Sequence, residues 1–475
     1  MHNDKESPFT LTLLDDDLSL HVVQFSGLEA LNQPYRFDIE VIGLAPAIHP
    51  DRLLQQSAFL SLGQGLGIHG VLHSASREHC GAHRVGYKVV LVPALQALDR
   101  YRCRRIFVHL SVPMILRQLL EEHELPDDSY RFELTLEHYP LRPFCIQYDE
   151  TDLALLQRLC EEEGIHYHFE HQRNAHVLVV ADDSLSFPQA PLLMPFHSDA
   201  SDDESQPLIS ELFQRHDSPP SPSGRNARNR GAPDADDGAA NHPITRPPPM
   251  SRPAPEQHHG DQLARRHLER LRCLQLQIHG QSNNGELSSG RIVQVADHPL
   301  PGFNDQWLVT QARHQGHQRS ILAQDTPDRL PHYHNQFSAI PWSTAFRPPL
   351  KQTKPSVPGY QPAHVCGPAG QPAALDDQGR IQVRLWPAQP AVAQASNSLW
   401  LPIALTTVHG RIDPACLPLA GSDGWVSFLD SDPDRPVFCA STGHRDTPPP
   451  ARDHQPRSDS RLLLDWLINP TQPKP

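Results

Sequence analysis

Three rows of alternating residues near the start of this chain restrict its fold more than any other feature. Phe9, Leu11 and Leu13 are separated by Thr10 and Thr12, and Phe37, Ile39 and Val41 by Asp38 and Glu40. Tyr87, Val89, Leu91 and Pro93 stand two apart, with Lys88 and Val90 among the intervening residues. Successive side chains of a strand point to opposite faces, so a period of two marks strands that bury one face and wet the other. Residues 9 to about 110 therefore read as β structure.

Helical spacing is rarer. Ile115, Leu116, Leu119 and Leu120 fall on one side of a helix expected over 112–123. The sharpest local pattern runs from Phe144 to Glu170. Phe144-Cys145-Ile146-Gln147-Tyr148 reads as a strand, and Asp149 to Asp152 supply cap-type and first-turn acidic residues. Leu153, Leu156, Leu159 and Cys160 form one apolar face, Gly164 suits a left-handed helix end, and Ile165, Tyr167 and Phe169 alternate as a strand again. Leu263, His267, Leu268, Leu271 and Leu274 suit a short basic helix, after which Leu274, Leu276 and Ile278 start a strand. The expectation is a mainly β fold with a few helices, a β-rich α+β class.

Composition sets the boundaries. The stretch 216–256 carries proline clusters and almost no large apolar residue, so it cannot bury enough surface to offset its ordering entropy and reads as a disordered insertion. The expected organisation is an N-terminal region over 1–345 containing that insertion, a linker over 347–362, a compact module over 363–445, and a tail over 446–475. In the tail Leu463, Trp466 and Leu467 share one helical side, which fits either a fold-back segment or a docking peptide.

Charge and cysteine content exclude several functions. The formal net charge of −14, with 20% charged residues, argues against general nucleic-acid binding. No apolar run approaches the ~20 residues that span a bilayer, so no stable membrane anchor is expected. The polar start from Met1 to Ser7 has no signal-peptide core, which points to folding in the cytoplasm. The eight cysteines are scattered without a Cys-x-x-Cys pair and read as reduced thiols.

Asp430-Ser431-Asp432-Pro433-Asp434 has carboxylates at alternate positions, but Arg435 and Ser441 stand where a calcium loop needs Gly and Glu. His166, His168 and His171 lack an acidic or cysteine partner at ligand spacing and read as solvent-facing strand histidines. Arg265, Arg266, Arg270 and Arg272 read as solvated charge, with an acidic neighbour as the other possibility. There is no His-Glu-x-x-His, no Gly-x-Ser-x-Gly and no phosphate-cradling loop. No catalytic residue, cofactor or metal site is expected.

Several motifs together carry a family resemblance. Phe144 to Asp152 with Gln147 and Tyr148, then Arg158-Leu159, Glu161-Glu162-Glu163-Gly164-Ile165 and Tyr167 to His171, closely resemble the hallmark of the VgrG proteins. These are spike proteins of the bacterial type VI secretion system, related to phage tail hub proteins of the late control gene D family. Phe25 to Leu31, Pro34 to Phe37, Gly70-Val71-Leu72, Leu287 to Gly290 and His298-Pro299 fit the same family. Gly379-Arg380, within Asp376 to Leu385, and Asp432-Pro433-Asp434-Arg435-Pro436 look like its OB-fold barrel.

The resemblance implies two similar hub-like barrel domains followed by the OB-fold barrel. It also implies a homotrimer capping a tube of hexameric rings, seated on baseplate components and driven through a target envelope. Export would then proceed through the secretion apparatus without a signal peptide, with a tip adaptor, chaperone or effector as a further partner at the tail. The family's long β-helical needle is not expected, since only Ala451 to Pro475 follow the barrel. A hub of a phage-derived contractile particle is the alternative reading, and an envelope hydrolase the remote one.

Overall fold

A computed structural model describes residues 9–16, 18–44, 47–63, 65–79, 84–135, 138–197, 207–215, 254–318, 332–387, 398–404 and 417–441. Most of the expected insertion and the whole tail, with Leu463, Trp466 and Leu467, lie outside the described residues. The chain divides into two units. The first runs from Met1 to Gly359 and includes Phe428–Arg435, and the second takes Tyr360–Pro390, Ser398–Ser427 and the residues from Pro436 onward.

In the first unit the alternating rows close on themselves. Strands β1 (Thr10–Leu13), β2 (Leu18–Ala30), β3 (Gln33–Leu44), β4 (Ser57–Gly63), β5 (Leu66–His79) and β6 (Arg84–Val92) pair in the order β1-β4-β5-β6-β3-β2, and β1 also pairs with β2. Thr10 stands opposite Ser61 on one side and His21 on the other, so the six strands form a closed barrel. Closure leaves no unpaired edge, and the apolar set of each row turns inward. Leu11, Val22, Phe37, Ile39, Leu60, Leu72, Val89 and Leu91 fill the interior.

A helical module follows. Strand β7 (Arg102–Leu110) pairs with β9 (Arg142–Thr151), and β10 (His166–His171), β11 (His176–Ala181) and β8 (Tyr130–Glu133) make a small sheet. Helices α1 (Val112–Glu122) and α2 (Asp152–Glu163) pack against them. Leu116, Leu119, Leu120, Leu155, Leu156 and Leu159 meet Tyr167 and Val180 in one core. Asn32, in the turn between β2 and β3, docks β10 onto the barrel. Its amide donates to the Ile165 carbonyl at 3.0 Å, and its Oδ1 accepts from the Tyr167 N–H at 3.3 Å.

The remaining strands of this unit are β12 (Leu192–Pro195) and β13 (Ile209–Arg215), then, after helix α3 (Ala254–Gln275), β14 (Gln277–Ser282), β15 (Ile292–Ala296), β16 (Gln306–His317) and β17 (His332–Pro341). They build a half-barrel around Met194, Ile278, Val293, Val309 and Phe337. It continues the first barrel's sheet, because β16 pairs with β2 from Gln311↔Ala30 to His317↔Gln24. The second unit holds a five-stranded sheet in the order β20 (Ser398–Leu401), β19 (Ile381–Leu385), β18 (Tyr360–Val365), β21 (Asp423–Phe428), β22 (Pro436–Ser441). The Phe438 N–H donates to the Pro402 carbonyl at 2.9 Å, bringing its two outer strands together.

Three expectations need correction. Helix α3 starts at Ala254, inside the stretch read as disordered, and runs to Gln275, so Leu274 ends a helix rather than starting a strand. Its leucines are not its buried side: Leu268, Leu271 and Leu274 are exposed while Gln262, Arg266, Arg270 and Cys273 are buried. His166 and His168 are buried rather than solvent-facing. Both faces of β10 are covered, one by Tyr35 and the barrel wall, the other by Phe187, which stacks on His166 at 4.7 Å. Among the described residues no helix is long and apolar enough to cross a membrane.

Candidate functional site

The densest polar arrangement of the first unit surrounds α2. The Thr151 hydroxyl caps the helix by accepting from the Ala154 N–H at 3.2 Å. Asp152, in the first turn, accepts from Arg105 Nη2 at 2.7 Å and Gln147 Nε2 at 2.8 Å, and bonds His123 Nε2 at 2.7 Å. Arg105 also donates to Gln147 Oε1 at 2.7 Å and pairs with Glu122. Acid beside a helix N-terminus is favourable, and here it ties the helix to β7, β9 and α1 at once.

The middle and end of α2 carry the rest. Arg158, 3% exposed, donates to both Glu150 oxygens at 2.5 and 3.1 Å, to Glu162 at 3.0 Å and to the Ile146 carbonyl at 3.4 Å. Glu163 takes Arg142 at 2.8 Å, Arg266 at 3.1 Å and His259 at 3.5 Å. Glu161 accepts the N–H groups of Lys351 and Gln352 at 2.8 and 2.7 Å. Arg270 donates to the Glu161 carbonyl at 2.6 Å and the Pro348 carbonyl at 2.7 Å. Gly164 ends the helix at φ +70°, and Arg347 donates to its carbonyl at 3.2 Å. The stretch expected as a linker thus begins with buried, bonded residues.

Electrostatics follows the partners. Burial disfavours the Glu163 charge, but His259 and Arg142 outweigh it and hold the carboxyl down at about 2. For Glu150 burial wins over Arg158 and raises the carboxyl, and for Glu161 burial wins over the Gln352 and Lys351 amides. Arg266 and Arg270, read from sequence as solvated charge, are buried with acidic or carbonyl partners, because α3 packs on α2 through its polar side.

Burial also explains the histidines. The Ala94 N–H donates to His176 Nε2 at 3.1 Å, so Nδ1 carries the proton and donates to His69 Nδ1 at 2.9 Å. His171 meets Tyr35 edge-on at 4.9 Å, and among the described residues neither ring nitrogen of His168 has a hydrogen-bond partner, Nε2 lying 4.0 Å from Glu170. Burial lowers His168 and His176 to about 4 and His171 to about 3, and puts His166 well below its ordinary value. Among the described residues no group of three histidine, cysteine or acidic side chains is set to hold a metal ion.

The sequence-derived motif residues therefore fall into separate places. Gln147, Arg158, Leu159 and Gly164 converge on the α2 framework, and Tyr148 stacks under Arg104 at 4.6 Å. Gly379 sits at φ +72° in a turn closed by Asp376, which accepts from the Arg380 N–H at 2.8 Å and its Nε at 2.7 Å. Asp432 and Asp434 both pair with Lys354, at 2.7 and 2.5 Å, and Arg435 pairs with Asp430 at 2.7 Å. Pro433 and Pro436 flank Asp434 and Arg435 in that turn, and Pro436 opens β22, where a missing N–H is tolerated. Sequence reasoning gave no role to Arg105 or Arg347; it placed Asp152 as first-turn acid, Glu163 within the family motif, and Arg266 as solvated charge or the partner of an acidic neighbour, and the last alternative is the one observed. For Glu163 and Arg266 the signal was charge at helix positions that share a side with buried residues; Arg105 lies on a strand and Arg347 outside the helices, so neither carries it.

Residues 28–320 match the family described as phage tail baseplate hub (GPD). The chain belongs to that family. Within it, the chain is 37% identical to the type VI secretion system spike protein VgrG5 of Pseudomonas aeruginosa, over 97% of this chain and 60% of that protein. It is 28% identical to the actin cross-linking toxin VgrG1 of Vibrio cholerae, over 92% of this chain and 41% of that one. The chain thus spans 60% and 41% of the length of these two relatives.

A solved E. coli structure superposes with a TM-score of 0.67 at 24% identity, covering 89% of this chain and 96% of that one. It is described as a component of the type VI secretion system with structural similarity to T4 bacteriophage tail proteins gp27 and gp5. The match shows a shared fold over 89% of this chain. The closed barrel and the half-barrel sharing its sheet are this chain's version of that fold.

Proposed function

We propose that this hub-family chain is a structural spike or tip component of a bacterial type VI secretion system. It acts as a trimeric hub that caps the inner tube, puncturing target envelopes and carrying effectors. The observation that carries the reading is the 37% identity to a protein named as such a spike, sustained over 97% of this chain. The geometry agrees with mechanical work. A tip pushed against an envelope has to transmit load without yielding, and the α2 framework braces β7, β9, α1, α3 and residues 347–352 against one helix.

The partners of this reading are two further copies of the chain, the hexameric tube protein, baseplate components, and a tip adaptor, chaperone or effector at the tail. The chain resides in the cytoplasm before firing and leaves through the apparatus. No catalytic step is assigned to it. Deleting the gene should abolish export of the tube protein, and restoring this chain should restore it. Export that continues without it would refute the reading and favour a hub in a phage-derived particle. Light scattering of the purified protein should give three times 53.2 kDa.

A further inference from the structure

Helix α3 is inverted relative to an ordinary surface helix. Its inward side is polar: Gln262 exchanges hydrogen bonds with the His138 backbone, Arg266 holds Glu163, and Arg270 holds the Glu161 and Pro348 carbonyls. Its outward side is apolar, with Leu268 55%, Leu271 37% and Leu274 46% exposed. Ala264, Leu268 and Leu271 are spaced four and three apart, the spacing of a seam that packs against another helix. Arg272 and Arg265, the latter paired with Glu269 of its own helix at 3.9 Å, flank that seam one heptad apart.

A second patch has the opposite charge. Glu121, Glu124 and Asp128 lie exposed around the C-terminal end of α1, whose outward side also shows Met114 at 48%. The two patches belong to opposite ends of α2. The end of α1 is tied to its first turn through Glu122, Arg105, His123 and Asp152. Helix α3 is tied to its last turn through Arg266 and Arg270. Twelve helical residues separate these ends by about 18 Å. A ring of identical chains closes through heterologous contacts, which need two different, complementary patches on different sides of each subunit.

We propose that the leucine seam of α3 is an interprotomer surface, occupied by the acidic end of α1 from a second copy of this chain. Burying the leucines supplies the attraction, and the arginines against the acids set the register. The inference rests on the trimeric reading given above and adds its contact.

The test measures mass by light scattering of the full chain at micromolar concentration, with circular dichroism as a check on folding. Leu268→Asp with Leu271→Asp should reduce the mass from three times 53.2 kDa to 53.2 kDa with an unchanged spectrum, because both leucines are already exposed in the single chain. Arg265→Glu with Arg272→Glu should weaken association ~10-fold or more at moderate salt. Adding Glu121→Arg and Glu124→Arg to that variant should restore it.

A leucine variant that remains trimeric overturns the proposal while leaving the trimer intact. So does a charge reversal that the second reversal fails to rescue. A wild-type chain that is monomeric at these concentrations overturns the trimeric reading itself. A lower melting temperature in a leucine variant of unchanged mass would show that the chain's own residues cover the seam, and would also overturn the proposal.

Discussion

Mild acid should loosen the small sheet that docks on the first barrel. His168 and His176 titrate at about 4 and His171 at about 3 in the folded chain, because burial, with like-charged neighbours for His171 and His176, disfavours their protonated forms. Unfolded, each titrates near ~6.5. Between these values the unfolded state binds more protons, so stability is full above pH ~6.5 and falls as the pH drops. Each histidine contributes up to about 1.4 kcal/mol per pH unit once the unfolded form is protonated, so the three together lose about 5 kcal/mol between pH 6.5 and 5. That is comparable to the whole stability of many domains. Glu150 and Glu161, raised by burial, oppose the slope only as the pH nears the carboxylate range.

The assay is hydrogen exchange of peptides spanning 165–181 at pH 7.5 and 5.0, corrected for the intrinsic rates. Protection should fall steeply at pH 5.0. His168→Phe, which replaces a ring beside Phe187 that has no hydrogen-bond partner among the described residues, should make the pH dependence shallower, with His166, His171 and His176 supplying the remainder. Equal corrected protection at the two pH values would refute the linkage.

Arg158→Met should cost roughly 3–5 kcal/mol, read as a lower urea midpoint, because it strands buried Glu150 with its charge uncompensated. Gly164→Ala should lower stability by about 1–2 kcal/mol, measured by thermal melting, since an added Cβ at φ +70° would also stand 2.9 Å from the Arg266 side chain. Trp466→Asp should leave a folded trimer while co-purification of an adaptor or effector is lost; a drop in melting temperature with co-purification retained would instead assign the tail a fold-back role.

Local periodicity determined much of this protein. The alternation at Phe9–Leu13, Phe37–Val41 and Tyr87–Leu91 marked strands β1, β3 and β6 and their inward faces, because a strand's period is set by its own backbone. Capping chemistry likewise placed the start of α2 within Asp149–Asp152, where Thr151 is the cap, and its end at Gly164, since both caps are local. What required the tertiary structure was every decision about which chain segment covers which face. β10 has the alternation of a strand with one wet side, yet Phe187 and the barrel enclose both, so its histidines are buried and neutral. The basic helix α3 shows leucines at helical spacing, yet the acidic end of α2 claims its arginines and leaves the leucines outside. Period reports that a helix has two sides; which side turns inward depends on the charge of a neighbour about a hundred residues away, and that pairing exists only once the chain has folded.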